Sequence, residues 1–313
     1  MDTLQALQTL ANDPDFRLLR RVPESLPPVA EAEGDTGLAL IIDTETTGMD
    51  KQRDLVIEVG MLLVRYRRDT GEWLAIEGHY DGLEDPEQPL SRVVQTVTGL
   101  RDADLAGQQM DDERVNALAS QADLVIAHNA AFDRPFLERR WPVFRDKAFA
   151  CSVNEIDWME AGFTSAKLEL LVYHCGYFYD SHRALNDCWA LLFMLGQVLE
   201  PRGETALAAL LQSADKPSFL LNLQVRFDDK DKLKAVGGFQ WQDGSDARYL
   251  PKSWLRRCKD KVELRAVLDQ IHAAVFGGKS FPCQIGKLTA CERYAADSPN
   301  IRMKSYEFPA PGA

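Results

Sequence analysis

Leu38-Ala39-Leu40-Ile41-Ile42-Asp43-Thr44-Glu45-Thr46-Thr47-Gly48 is an apolar run that ends in two acids separated by a single threonine. Branched aliphatic residues in an unbroken stretch predict a buried strand, placed near residues 37–43. Side chains alternate along a strand, so Asp43 and Glu45 project from one face. Two neighbouring carboxylates at the end of a core strand repel each other unless a cation lies between them. Hard divalent ions such as Mg²⁺ and Mn²⁺ take carboxylate oxygens and answer that need. A solvent-exposed Asp-x-Glu with no role is the plain alternative, and residues further along the chain decide between the two.

Outward from this stretch, residues 55–66 predict a second, mostly buried strand. Residues 72–80 predict a third, reached through Asp69-Thr70-Gly71. Short connections make these three an antiparallel meander. The pattern then alternates: a helix over 111–122, a short buried strand at 124–127, and a helix over 131–140 ended by Trp141-Pro142. Helices follow near 153–160 and 166–175, and an apolar helix over roughly 186–199 stops at Glu200-Pro201-Arg202-Gly203. Strands followed by alternating helices and strands predict an α/β fold, a mixed sheet with helices packed on it.

Two further segments carry chemistry. His128-Asn129-Ala130-Ala131-Phe132-Asp133 leaves the short strand and places Asp133 at the opening of a helix, where an acid is favoured as a plain cap. Ser181-His182-Arg183-Ala184-Leu185-Asn186-Asp187 precedes the apolar run Cys188–Leu195. Five positions on one helix would put His182 and Asp187 on different faces. Serving one site therefore requires His182 on the loop and Asp187 pointing inward from the helix.

Asp-x-Glu-Thr-Thr-Gly, His-Asn-Ala-x-Phe-Asp and His-x-Ala-x-x-Asp, in that order and with Val56-Ile57-Glu58-Val59-Gly60 in the second strand, resemble the DEDD superfamily of 3′–5′ exonucleases. The likeness is to its histidine-type branch, which includes the proofreading epsilon subunit of bacterial DNA polymerase III. It covers roughly residues 37–200 and implies an RNase H-like fold with a five-stranded mixed sheet. Carried over by position, it implies that Asp43, Glu45, Asp133 and Asp187 hold two Mg²⁺ ions, for which Mn²⁺ can substitute. His182 is then the general base, and Thr46 and Thr47 lie near the 3′-terminal sugar; Asn129 and Phe132 serve either to contact the base or backbone of the terminal nucleotide or as packing and turn residues. The implied reaction releases nucleoside 5′-monophosphates from single-stranded ends, with DNA favoured over RNA as the partner. Neutral imidazole is the working form of a general base, so activity falls in acid. Trimming of RNA ends and non-catalytic nucleic-acid binding are the competing functions.

The bulk properties fit a large domain plus a smaller one. The 313 residues are 45% hydrophobic and 27% charged, without an apolar run of the roughly 18 to 20 residues that span a bilayer. The first residues carry no secretion-signal pattern, and six cysteines without C-x-x-C spacing predict reduced thiols, together an expectation of a cytoplasmic protein. The net charge of −12 is split: residues 1–215 sum to −18 and residues 216–313 to +6. This predicts an N-terminal helix and linker arm (1–36), an exonuclease domain (37–203) and a small basic α+β accessory domain (216–313). In the last, strands are expected at 223–227, 239–241 and 248–251, with helices at 230–236 and 262–275. Its aromatic residues Trp241, Tyr249 and Trp254 serve either to grip a strand or to fill a core.

Overall fold

The computed structural model describes residues 2–26, 34–245, 248–295 and 301–309, so the Pro27-Pro28 part of the expected linker lies outside the described residues. The chain forms two compact units, Met1–Leu211 and Gln212–Ala313. Among the described residues, no helix is long and apolar enough to cross a membrane.

The first unit is built on strands β1 (Thr36–Thr46), β2 (Val56–Arg67), β3 (Trp73–Leu83), β4 (Leu124–Ala127) and β5 (Phe149–Cys151). They lie in the order β3-β2-β1-β4-β5. The meander pairs antiparallel, while β4 pairs parallel with β1, and β5 parallel with β4. This is the mixed five-stranded, RNase H-like sheet that the sequence resemblance implies. The first nine residues of β2 and all of β4 are buried, as expected of strands covered on both faces.

The helices of the unit include α1 (Thr3–Asn12), α2 (Arg92–Thr98), α3 (Asp112–Gln121), α4 (Ala130–Arg140), α5 (Leu168–His174) and α6 (Ala184–Leu195). The apolar helix begins two residues before the expected start and ends four before the expected end, at Leu195, with Gly196 following as its cap. The helix expected over 153–160 is a single turn, Ser152–Glu155. There the Glu155 carboxylate accepts the Cys151 N–H and Asp157 caps the following turn. Helix α2 is an addition to the expected elements; Ser91 caps it and Gly99, at φ 73°, ends it.

Helix α6 packs on the two strands that carry the acidic motif, and Gly60 makes that approach possible. Asp43 stands opposite Gly60 in the β1–β2 register. A Cβ at Gly60 would lie 2.2 Å from the Ala184 carbonyl carbon and from the Leu185 nitrogen, both backbone atoms. Cys188, fully buried, donates its thiol to the Gly60 carbonyl at 3.2 Å. Gly60→Ala is expected to destabilise the protein by about 3 kcal/mol, because backbone cannot yield as a flexible side chain can. Chemical denaturation measures this, and a midpoint equal to wild type would show that the helix does not rest on this strand.

The second unit is a five-stranded antiparallel sheet in the order β7-β8-β6-β9-β10. Its strands are β6 (Ser218–Leu223), β7 (Gln240–Gln242), β8 (Ser253–Cys258), β9 (Phe281–Leu288) and β10 (Met303–Phe308), with helices α7 (Lys230–Val236) and α8 (Lys261–Ala274). Two expected strands are displaced. The one at 223–227 ends at its expected start, since Phe219, Leu221 and Leu223 are the residues that alternate into the core. Residues 248–251 form a turn held by the Asn222 side chain, which accepts the Leu250 N–H at 2.8 Å, and the strand starts at Ser253. Trp254 packs against the main core and Tyr249 against the cluster of Leu220, Leu288 and Ile301, which is the core-filling role. Trp241 remains 54% exposed.

Candidate active site

Strand pairing and helix docking bring together acids far apart in sequence. One carboxylate oxygen each from Asp43, Glu45 and Asp187 lie within 4.8 Å of one another. The first two come from the end of β1 and the third from the first turn of α6. Asp133, in the first turn of α4, is buried beside them but outside that set of three. Its Oδ1 accepts both the Thr44 N–H, at 3.1 Å, and the Thr44 hydroxyl, at 2.8 Å. Thr44 points to the opposite face from Asp43 and Glu45, and this bond couples the helix to the strand between the two acids.

The electrostatics are those of an uncompensated cluster. Burial, then the charge of Asp187, raises the Glu45 carboxyl to about 8. Burial raises Asp133 to about 7, against the lowering effect of the Thr44 hydrogen bond. Asp43 is pushed well up by burial and by Asp133, Asp187 and Glu45 in turn. Asp187 Oδ1 accepts the Tyr179 hydroxyl at 2.9 Å, while the buried Oδ2 has no hydrogen-bond partner. An orphaned carboxylate oxygen beside two further carboxylates fits a hard divalent cation, which prefers anionic oxygen and relieves their repulsion.

In the metal-free protein Glu45 and Asp133 keep their protons to higher pH when folded than when unfolded. The folded state therefore binds more protons between the ordinary carboxyl range and about pH 8, so stability falls as pH rises through that window. Melting in EDTA is expected to show a lower midpoint near pH 8 than near pH 5, and added Mg²⁺ is expected to raise the midpoint more at the higher pH. A midpoint that climbs from acid to pH 8 in EDTA would contradict the clustering.

His182 is exposed on the loop immediately before α6, at φ 62°, while Asp187 points inward from the helix. Thr46 and Thr47 spend their hydroxyls on their own loop: Thr46 donates to the Gly48 carbonyl and Thr47 to Asp54. The Thr47 N–H donates to the Leu55 carbonyl. This loop is tied to α4 by Lys51, which donates to the Ala131 carbonyl, and by Arg139, which donates to the Lys51 and Asp54 carbonyls. Asn129 is exposed at φ 81° and Phe132 half-buried against Phe136. His128 bonds to Ser152 at 2.7 Å, and burial lowers it to about 4, so it is a neutral packing residue.

Glu58, Arg183 and Tyr179 join the site without a role predicted from the sequence. Glu58 faces Glu45 across the strand pair, fully buried, and pairs with Arg183 at 3.0 Å. An acid within the apolar run Val56–Val64 is the available signal for Glu58. Arg183 offsets a second like-charge contact on this face. Tyr179 gives no signal, lying in a Tyr-Phe-Tyr run.

Residues 40–194 match the family model described as Exonuclease, of the RNase T type. A DNA polymerase III subunit epsilon-like protein of Rhodobacter capsulatus is 30% identical over 222 residues, 66% of this chain and 30% of that protein. The PolC-type DNA polymerase III of Bacillus subtilis is 28% identical over 177 residues, 53% of this chain and 12% of the enzyme. The chain thus spans a minor part of the curated relatives it matches. Among solved structures, one of exonuclease I has a TM-score of 0.45 and 16% identity, covering 60% of this chain and 48% of that one. Exonuclease X in complex with 5′ overhanging duplex DNA has a TM-score of 0.38 and 22% identity, covering 54% and 99%.

Proposed function

Because residues 40–194 are a DEDD-type 3′–5′ exonuclease domain, we propose that this protein hydrolyses the terminal phosphodiester of single-stranded DNA ends and releases nucleoside 5′-monophosphates. The observation that carries the reading is the convergence of Asp43, Glu45 and Asp187 within 4.8 Å, with Asp133 buried alongside. These four acids would hold two divalent cations, Mg²⁺ by preference, which supply charge neutralisation of the diester and activation of the attacking water.

The chain's own residues do the rest. His182 accepts the proton of the attacking water, and its place on an exposed loop lets it meet a substrate bound over the acids. Asn129 and Phe132, at the opening of α4, contact the terminal base and sugar. The closed loop of Thr46 and Thr47 forms the wall against which the 3′ end stops. Arg183 pairs with Glu58 at 3.0 Å and opposes the burial that raises the Glu58 carboxyl, adding a positive charge beside the acids. Unpaired bases expose the faces and backbone that such a site grips, which favours single strands. The names of the two relatives above, a DNA polymerase III subunit epsilon-like protein and a PolC-type DNA polymerase III, favour DNA over RNA.

Digestion of matched 3′-labelled DNA and RNA oligonucleotides, with Mg²⁺ and with EDTA, tests this. The expected result is immediate release of labelled mononucleotide from DNA, only with metal. Intact substrates in both Mg²⁺ and Mn²⁺ would refute the activity, and faster loss from RNA would refute the DNA preference.

A further inference from the structure

Asp187 is held unusually for an acid in a first helical turn. One of its oxygens takes the Tyr179 hydroxyl at 2.9 Å, the other is buried without a hydrogen-bond partner, and the carboxylate contributes an oxygen to the cluster with Asp43 and Glu45. A carboxylate with two free oxygens turns about its terminal bond. A phenol fixed to one oxygen holds the plane and leaves the second open to a cation.

Tyr179 is itself fixed by structure outside the site. The strand Tyr177–Phe178 immediately before it pairs parallel with Arg20–Arg21 near the N-terminus. The Val22 N–H donates to the Phe178 carbonyl at 2.9 Å, and the Arg20 N–H to the Gly176 carbonyl at 3.0 Å. On the other side, Arg21 pairs with Asp180 at 2.9 Å and lies over the Phe178 ring, while Asn186 donates to the Asp180 carbonyl at 3.1 Å. The backbone is thus tied both before and after Tyr179, although no motif includes it.

We infer that Tyr179 is a positioning residue, whose hydroxyl fixes the Asp187 carboxylate with its second oxygen set for a divalent cation. This rests on the exonuclease reading above. Partners that orient a ligating carboxylate affect metal affinity by about 10–100-fold. The phenol does not touch the cation and takes no part in proton transfer, so its loss weakens ion binding without changing the chemistry.

The test is Mn²⁺ binding alone, by calorimetry on the full chain without substrate, for wild type and Tyr179→Phe. The phenylalanine keeps the ring and its packing and removes only the donor, and circular dichroism verifies the fold. The expected result is about 10-fold or greater weakening of Mn²⁺ binding. In the exonuclease assay the variant should need correspondingly more metal yet recover most of the wild-type rate at saturation. In a double-mutant cycle, Tyr179→Phe should have no added effect on Mn²⁺ affinity in an Asp187→Asn background. Equal Mn²⁺ affinity in wild type and Tyr179→Phe, or full additivity in the cycle, overturns the positioning role alone. Wild type that binds no Mn²⁺ overturns the metal-dependent reading on which it rests.

Discussion

Asp43→Asn lowers the rate of terminal hydrolysis by at least about 10³-fold while the metal-free protein becomes more stable. Asp43 is pushed well up by burial and then by Asp133, Asp187 and Glu45 in turn. An uncharged amide relieves that repulsion, so the midpoint in EDTA rises. The same change removes an anionic ligand from the cluster of three. Cation binding supplies several kcal/mol of transition-state charge stabilisation, and each 1.36 kcal/mol is about tenfold in rate. Opposite signs for stability and activity distinguish a functional cluster from a packing one. Single-turnover rates and melting curves on the same preparation provide both readings. Activity within tenfold of wild type, or a lower midpoint in EDTA, would remove Asp43 from the site.

His182→Asn reduces the single-turnover rate by about 10²–10⁴-fold, the contribution expected of a positioned general base. Asparagine is the informative replacement because it accepts a left-handed backbone, and His182 sits at φ 62°. Alanine there would add backbone strain to the loss of the base. His182 is exposed and outside the cluster of three carboxylates, so Mn²⁺ affinity and thermal midpoint should stay near wild type. Loss of rate with unchanged metal binding places His182 in proton transfer. A rate within a few-fold of wild type would exclude it as the base, and a large fall in Mn²⁺ affinity would reassign it to ion binding.

Elements with a strong local signal are legible in the amino-acid sequence. The meander, the strand at Leu124–Ala127 and the helix at Lys230–Val236 are set by apolar runs and breakers that any register would respect. The three-residue strand Phe149–Cys151 is not legible, because so short a segment is defined by pairing with β4 and not by its own residues. In the second unit the strand expected at 223–227 lies downstream of the observed one. Alternation identifies a face, but only the partner strands decide where pairing starts.

The acids and the histidine follow from spacing and resemblance, since short motifs at strand ends and helix starts are local features. Sequence by itself determines that Asp43 and Glu45 share a face, because strand alternation admits no other arrangement. For His182 and Asp187 to serve one site, helical geometry also requires His182 to leave the helix that carries Asp187. Only the tertiary structure decides that Asp187 reaches the β1 acids through a helix seated on Gly60, and that Asp133 is tied to Thr44. It alone decides that Tyr179 holds Asp187, with its chain secured by a strand near the N-terminus. Those contacts join segments far apart in the chain, and their geometry is set by packing distances that no local pattern encodes.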